Sequence, residues 1–177
     1  MDPGSQTIGS LVDEAAGRSQ EDLEALLGPL VLVGLPRVAT QTADADDPWA
    51  FATSSGLCEP LDDPMVSFRE SLVYGIRKAR PGPFADTVLV GRASSNDVCI
   101  QDPSLSKLHA RFHLRPGGIV QLSDSSSKNG TWLNGHRLAP NKPVDVKPGD
   151  EVQFGVRTLS VYSIPRLHTL VSKLAGR

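Results

Sequence analysis

Ala110-Arg111-Phe112-His113-Leu114-Arg115-Pro116-Gly117-Gly118-Ile119-Val120-Gln121-Leu122 is the stretch on which the fold turns. Ala110, Phe112 and Leu114 alternate with Arg111, His113 and Arg115, so the two sets fall on opposite faces of an extended chain. Pro116-Gly117-Gly118 interrupts the run and residues 119–122 resume it, which reads as two neighbouring strands around a tight turn. The same texture continues on both sides. Upstream lie apolar runs at residues 72–76 and 87–90, then Val98 and Ile100. The 87–90 run is solidly apolar, as expected of a strand covered on both sides. Downstream, Trp132-Leu133 and residues 136–138 flank Asn134-Gly135, a strong hairpin signal. Val144 and Val146 precede the turn Lys147-Pro148-Gly149-Asp150, and residues 152–154 and 159–162 close the series. Short strands at such regular spacing predict an all-β fold, an antiparallel β-sandwich.

The rest of the chain reads differently. Ser19 with Asp22 three residues on has the form of a capping box. Leu23, Leu26, Leu27 and Leu30 then follow at i, i+3, i+4 and i+7, predicting a helix that ends near residue 30. Residues 36–65 hold Pro36, Pro48, Pro60 and Pro64 among many Asp, Ala and Thr, the composition of a linker, with Trp49 and Phe51 as the groups to pin it. At the other end Pro165 suits a first helical turn, and Leu167, Leu170, Val171 and Leu174 repeat the helical spacing. The expected organisation is a helical N-terminal extension (1–35), an acidic Pro-rich linker (36–65), the β-sandwich (66–163) and a C-terminal helix (164–177). Helices this short are marginal alone in water, so each must dock on something.

Charge divides the 177 residues in the same place. Residues 1–65 hold 12 Asp/Glu against 2 Lys/Arg, and residues 66–177 hold 8 against 16. The basic part suits an anionic partner. Cys58 and Cys99 are too few for a secreted disulfide framework and fit reduced thiols in a cytoplasmic protein. The start Met1-Asp2-Pro3-Gly4 lacks the basic opening of a signal peptide. No apolar run approaches the ~20 residues of a membrane span.

Four short motifs stand in order along the basic part: Gly91-Arg92; Ser95-Asn96-Asp97; Ser106-Lys107-Leu108-His109; and Lys128-Asn129-Gly130-Thr131, with Asn134-Gly135 close behind. At these spacings residues 70–162 resemble the forkhead-associated (FHA) family, and the flanking segments resemble those of small stand-alone bacterial FHA proteins. The resemblance implies an FHA/SMAD-like sandwich that binds phosphothreonine in Ser/Thr-kinase signalling. A phosphorylated side chain carries nearly two negative charges and three strong acceptors. A guanidinium grips two of those oxygens at once, which suits Arg92 at a strand end, while Ser106 offers a hydroxyl and Lys107 a point charge. By the resemblance Arg92, Ser106 and Lys107 hold phosphate, and Lys128, Asn129 and Thr131 meet the peptide. Gly91, His109 and Gly130 then shape the site, His109 as a brace rather than a base. Asn134 and Gly135 are hairpin residues.

No nucleotide-binding loop is present, and the four histidines do not combine with the cysteines at zinc spacing. The expectation is a binding module, with no catalytic site, no metal and no cofactor. Its partner is a phosphothreonine-containing protein, a kinase or a kinase substrate. Nucleic acid is not expected, since no aromatic residues alternate with the basic ones. The alternative is a phosphate-independent interaction or oligomerisation scaffold with the same fold. The acidic segment is expected to be a solvated linker beside a docked helix; the alternative to that is self-masking, in which the segment, phosphorylated at Thr7, Thr40 or Thr42, folds onto the peptide site.

Overall fold

The computed structural model describes residues 6–14, 19–34, 68–80 and 84–176. The linker, with Thr40, Thr42, Trp49, Phe51 and Cys58, lies outside the described residues.

Among the described residues twelve strands form two sheets. In chain order they are β1 (Gln6–Thr7), β2 (Leu30–Gly34), β3 (Leu72–Gly75), β4 (Thr87–Gly91), β5 (Val98–Cys99), β6 (Ala110–Arg115), β7 (Ile119–Asp124), β8 (Thr131–Leu133), β9 (His136–Arg137), β10 (Val144–Val146), β11 (Glu151–Phe154) and β12 (Arg157–Ser163). One sheet runs β1-β3-β2-β12-β11-β8-β9 and the other β10-β7-β6-β4-β5. The predicted β6–β7 pairing is present, with Phe112 opposite Leu122 and Ala110 opposite Asp124. Between the sheets lies one apolar core that includes Tyr74, Val88, Val90, Phe112, Leu122, Val152 and Phe154.

Two expectations need correcting. The sandwich takes in strands before residue 66: β1 pairs with β3, and Leu30–Gly34 is a strand between β3 and β12 rather than the end of a helix. Gly28, with φ of 86°, stops the preceding helix, and a side chain there would press on the Ile76 backbone. Four apolar residues follow and are buried on both faces: Leu30 and Leu32 enter the core between the sheets, while Val31 and Val33 enter a second core. Double coverage belongs to β2 and not to β4. In β4 Val88, Val90 and Gly91 are buried, whereas Thr87 and Leu89 are only half-buried, Leu89 pairing opposite Arg111. The expected antiparallel sandwich is present, with one parallel pair among its described strands. β4 and β5 pair in parallel, the turn between them being closed by the Asn96 N–H to the Ala93 carbonyl at 3.0 Å.

The second core explains the helices. α1 (Ile8–Glu14), α2 (Gln20–Leu27) and α3 (Ile164–Leu174) lie over the outer face of the larger sheet. Ile8, Leu11, Leu23, Leu27, Ile164, Leu167 and Val171 pack there against Val31, Val33 and Val73. The capping box forms as predicted, with the Asp22 N–H on Ser19 Oγ at 3.2 Å and the Ser19 N–H on Asp22 Oδ2 at 3.0 Å. Arg69 caps the far end of α3 by donating to the Leu174 carbonyl at 2.8 Å. The molecule is therefore three layers deep: helices, seven strands, five strands. No described helix is long and apolar enough to cross a membrane.

Candidate functional site

The four motifs of the sequence fall at one end of the sandwich, on loops held together by backbone hydrogen bonds. β4 ends at Gly91. Its neighbours there are the carbonyls of Ser106 and Lys107, so a side chain at 91 would lie 2.9 Å from the Ser106 oxygen and closer still to that of Lys107. Glycine is what lets these strands approach. The Arg92 N–H then donates to the Ser106 carbonyl at 3.1 Å, and the Ala93 N–H to that of Lys107 at 3.3 Å. Asn96 reinforces the junction, its side-chain amide donating to the carbonyls of Ala93 at 3.0 Å and Lys107 at 2.6 Å.

The third loop is tied to the second. Ser106 Oγ accepts the Lys128 N–H at 3.0 Å, which leaves its own hydroxyl proton free to donate outward. Asn129 donates its amide to the Ser104 carbonyl at 2.7 Å. Arg92, Lys107 and Lys128 are exposed, and none forms an ion pair with a described residue. Three cations and a hydroxyl thus stand on adjoining loops, with no ion pair to a described acid to neutralise them.

His109 lies between the second loop and the third. Its side chain is completely buried and stands edge-on to Phe154. The Ser106 N–H points at Nδ1 at 3.0 Å, so Nδ1 must be unprotonated, and Nε2 carries the proton to the Gly130 carbonyl at 2.9 Å. One neutral ring therefore joins the second loop to the third. Burial pushes its pKa below the usual 6.5, against the opposing pull of the Gly130 carbonyl and the Asp124 charge. Burial, with Arg115 and Arg111 nearby, moves His113 the same way despite Asp86. Unfolded histidines therefore take up protons before folded ones. Stability is full above about pH 6.5 and falls as the pH drops below it, by at most ~1.4 kcal/mol per pH unit for each ring. Denaturant unfolding at pH 7.5, 6.5 and 5.5 checks this, and a flat profile would contradict the neutral brace.

Thr131 does not belong to the peptide surface. It is completely buried, and its hydroxyl donates to Asp124 Oδ1 at 2.7 Å. The inward phase of β8 decides this, since Thr131 and Leu133 point to the core and Trp132 points out. Asp124, which sequence reasoning passed over, organises the loop: it also accepts the Ser127 hydroxyl at 2.6 Å and the Ser127 N–H at 3.0 Å. Burial pushes this carboxyl up, but the Ser127 and Thr131 hydroxyls and the Ser127 N–H, aided by His109, outweigh it and hold the group below the usual 3.8. Ser127 Oγ in turn accepts the Gly130 N–H at 3.0 Å. An Asp followed three residues on by Ser is a local signal for such a self-bonded loop. Gly130 takes φ of 86°, in the left-handed region that favours glycine.

Comparison with known proteins agrees with this geometry. Residues 88–155 match the FHA domain model. An oxoglutarate dehydrogenase inhibitor from Corynebacterium diphtheriae is 30% identical over 117 residues, covering 66% of this chain and 77% of that protein. The glycogen accumulation regulator GarA of Mycolicibacterium smegmatis is 39% identical over 72 residues, 39% of this chain and 41% of the regulator. The DNA damage response protein kinase DUN1 of Saccharomyces cerevisiae is 37% identical over 73 residues, 37% of this chain and 14% of the kinase. The matched region thus spans less than half of the last two proteins. With the sandwich, the ordered motifs and a relative matched over most of its length, this chain belongs to the FHA-domain family.

Proposed function

We propose that this chain is a phosphothreonine-dependent binding module in Ser/Thr-kinase signalling, acting by recognition and not by catalysis. The observation that carries the reading is the junction of Arg92, Ser106 and Lys107 with Lys128 and Asn129, with none of the three cations ion-paired to a described residue. In this reading Arg92 takes two phosphate oxygens, the Ser106 hydroxyl donates to the third, and Lys107 and Lys128 add charge. Asn129 holds the peptide backbone with the part of its amide not used on Ser104. Relatives that are a DNA damage response protein kinase, a glycogen accumulation regulator and an oxoglutarate dehydrogenase inhibitor fit a module that reads kinase output.

Preference for threonine over serine follows from family membership. Burying one methyl group contributes only ~0.8 kcal/mol, so a larger preference requires that the methyl also order the phosphate. The test is an oriented peptide library in phosphothreonine, phosphoserine and unmodified threonine forms, read by fluorescence anisotropy. Binding confined to the phosphothreonine library is the expected result. Equal binding of the unmodified library would replace this reading with the phosphate-independent scaffold.

A further inference from the structure

Arg137 lies outside the four motifs. It sits on β9, directly opposite Trp132 of β8, so both side chains stand on one face of the larger sheet at its edge. Its guanidinium carbon is 5.6 Å from the Trp132 ring centroid, within cation–π range. A guanidinium held over an indole keeps N–H groups with which to donate. Its other neighbour is Gly130, where an added side chain would stand 2.8 Å from Nε and 3.1 Å from Nη2. Only glycine lets the guanidinium lie against the backbone of the loop that carries Lys128 and Asn129. Among the described residues Arg137 has no acidic partner, although it is exposed.

The charge at this end then exceeds what one phosphate requires. Arg92, Lys107, Lys128 and Arg137 are four exposed cations, whereas a phosphorylated side chain brings at most two negative charges. Like charges gathered beside one another need counter-charge from the ligand. A guanidinium stiffened by an indole, with its donors in one plane, matches the flat fork of a carboxylate.

We propose that Arg137 is a specificity residue: it grips the carboxylate of an aspartate or glutamate placed near the phosphothreonine in the bound segment, so that the partner is an acidic phosphopeptide. The proposal rests on the phosphothreonine reading of the neighbouring loops. Trp132 is its positioning residue, since it fixes the plane without touching the ligand.

The test uses the full chain and a neutral phosphothreonine peptide, together with eight variants that carry a single aspartate at each of the four positions on either side. Affinities are measured for wild type, Arg137→Gln and Arg92→Ala. At one position aspartate is expected to tighten binding to wild type about five-fold or more. Arg137→Gln removes that gain and leaves the neutral peptide within two-fold. No gain at any position in wild type, or a gain that survives in Arg137→Gln, overturns the proposal. So does equal loss of neutral and acidic peptides in Arg137→Gln, which marks a merely structural arginine. Arg92→Ala separates the two levels. If the neutral peptide binds wild type and fails on Arg92→Ala, the phosphate site stands whatever Arg137 does. If Arg92→Ala changes nothing, both fall.

Discussion

Replacing Arg92 by alanine is expected to weaken phosphopeptide binding by about 100-fold or more while leaving the fold intact. The side chain is exposed at the end of β4 and forms no ion pair with a described residue, so its removal creates neither a cavity nor a stranded acid. The backbone hydrogen bond from the Arg92 N–H to Ser106 does not depend on the side chain and survives. What is lost is the two-pronged grip on a dianion. A hydrogen bond to a charged group contributes ~1.5–3 kcal/mol, so a two-pronged contact corresponds to about 3 kcal/mol or more, two factors of ten. Lys107 and Lys128 remain and give a weaker, salt-sensitive residue of binding. Titration calorimetry at two salt concentrations measures both parts, with thermal unfolding as the control. Retained affinity in a folded Arg92→Ala protein would remove the phosphate from this site. Arg92→Lys keeps the charge without the fork and is expected to fall between the two.

The legible parts of this protein are those where one residue type answers one local need. Gly91 is required by the carbonyls opposite it, and Asn134-Gly135 by the hairpin, where both residues adopt positive φ. The spacing of Ser106 and His109 is legible too, because a ring three residues on can reach back to the Ser106 N–H. The strand Leu30–Gly34 was hidden because Leu23, Leu26, Leu27 and Leu30 continue the helical period across Gly28. A run of Leu and Val buried on two faces carries no alternation to betray it. Only the partner layers, sheet on one side and helices on the other, reveal which structure it takes. Thr131 was misplaced for a related reason. Beside Asn129-Gly130 it reads as part of an exposed loop, yet it is already the first residue of β8, and its hydroxyl faces Asp124. Arg137 was silent because its significance lies in two neighbours, Trp132 across a strand pair and Gly130 seven residues earlier, which no linear spacing connects.

Replacing His109 by alanine is expected to cost stability and binding together, the first by about 3–5 kcal/mol. The ring is completely buried and fills space beside Phe154, so truncation leaves a cavity, which in the case of a large side chain costs several kcal/mol. The Ser106 N–H also loses its acceptor, and a buried donor left unmade costs ~1–3 kcal/mol. The Gly130 carbonyl suffers less, because the Gly155 N–H still donates to it at 3.0 Å. Small domains have only ~5–15 kcal/mol of total stability, so the variant is expected to unfold at markedly lower urea concentration with an unchanged slope. Below its midpoint the remaining folded molecules should still bind poorly. The ring is what holds the Ser106 loop against the Gly130 loop, and with it gone the two halves of the phosphate site are no longer in fixed register. This separates His109 from a ligand group. A ligand histidine would weaken binding without shifting the unfolding midpoint, whereas the brace shifts both. Glutamine at 109 can offer one acceptor and one donor in the same buried space, and it is expected to recover part of the stability. A His109→Ala protein with wild-type unfolding would show that the two loops are held in register by something other than this ring.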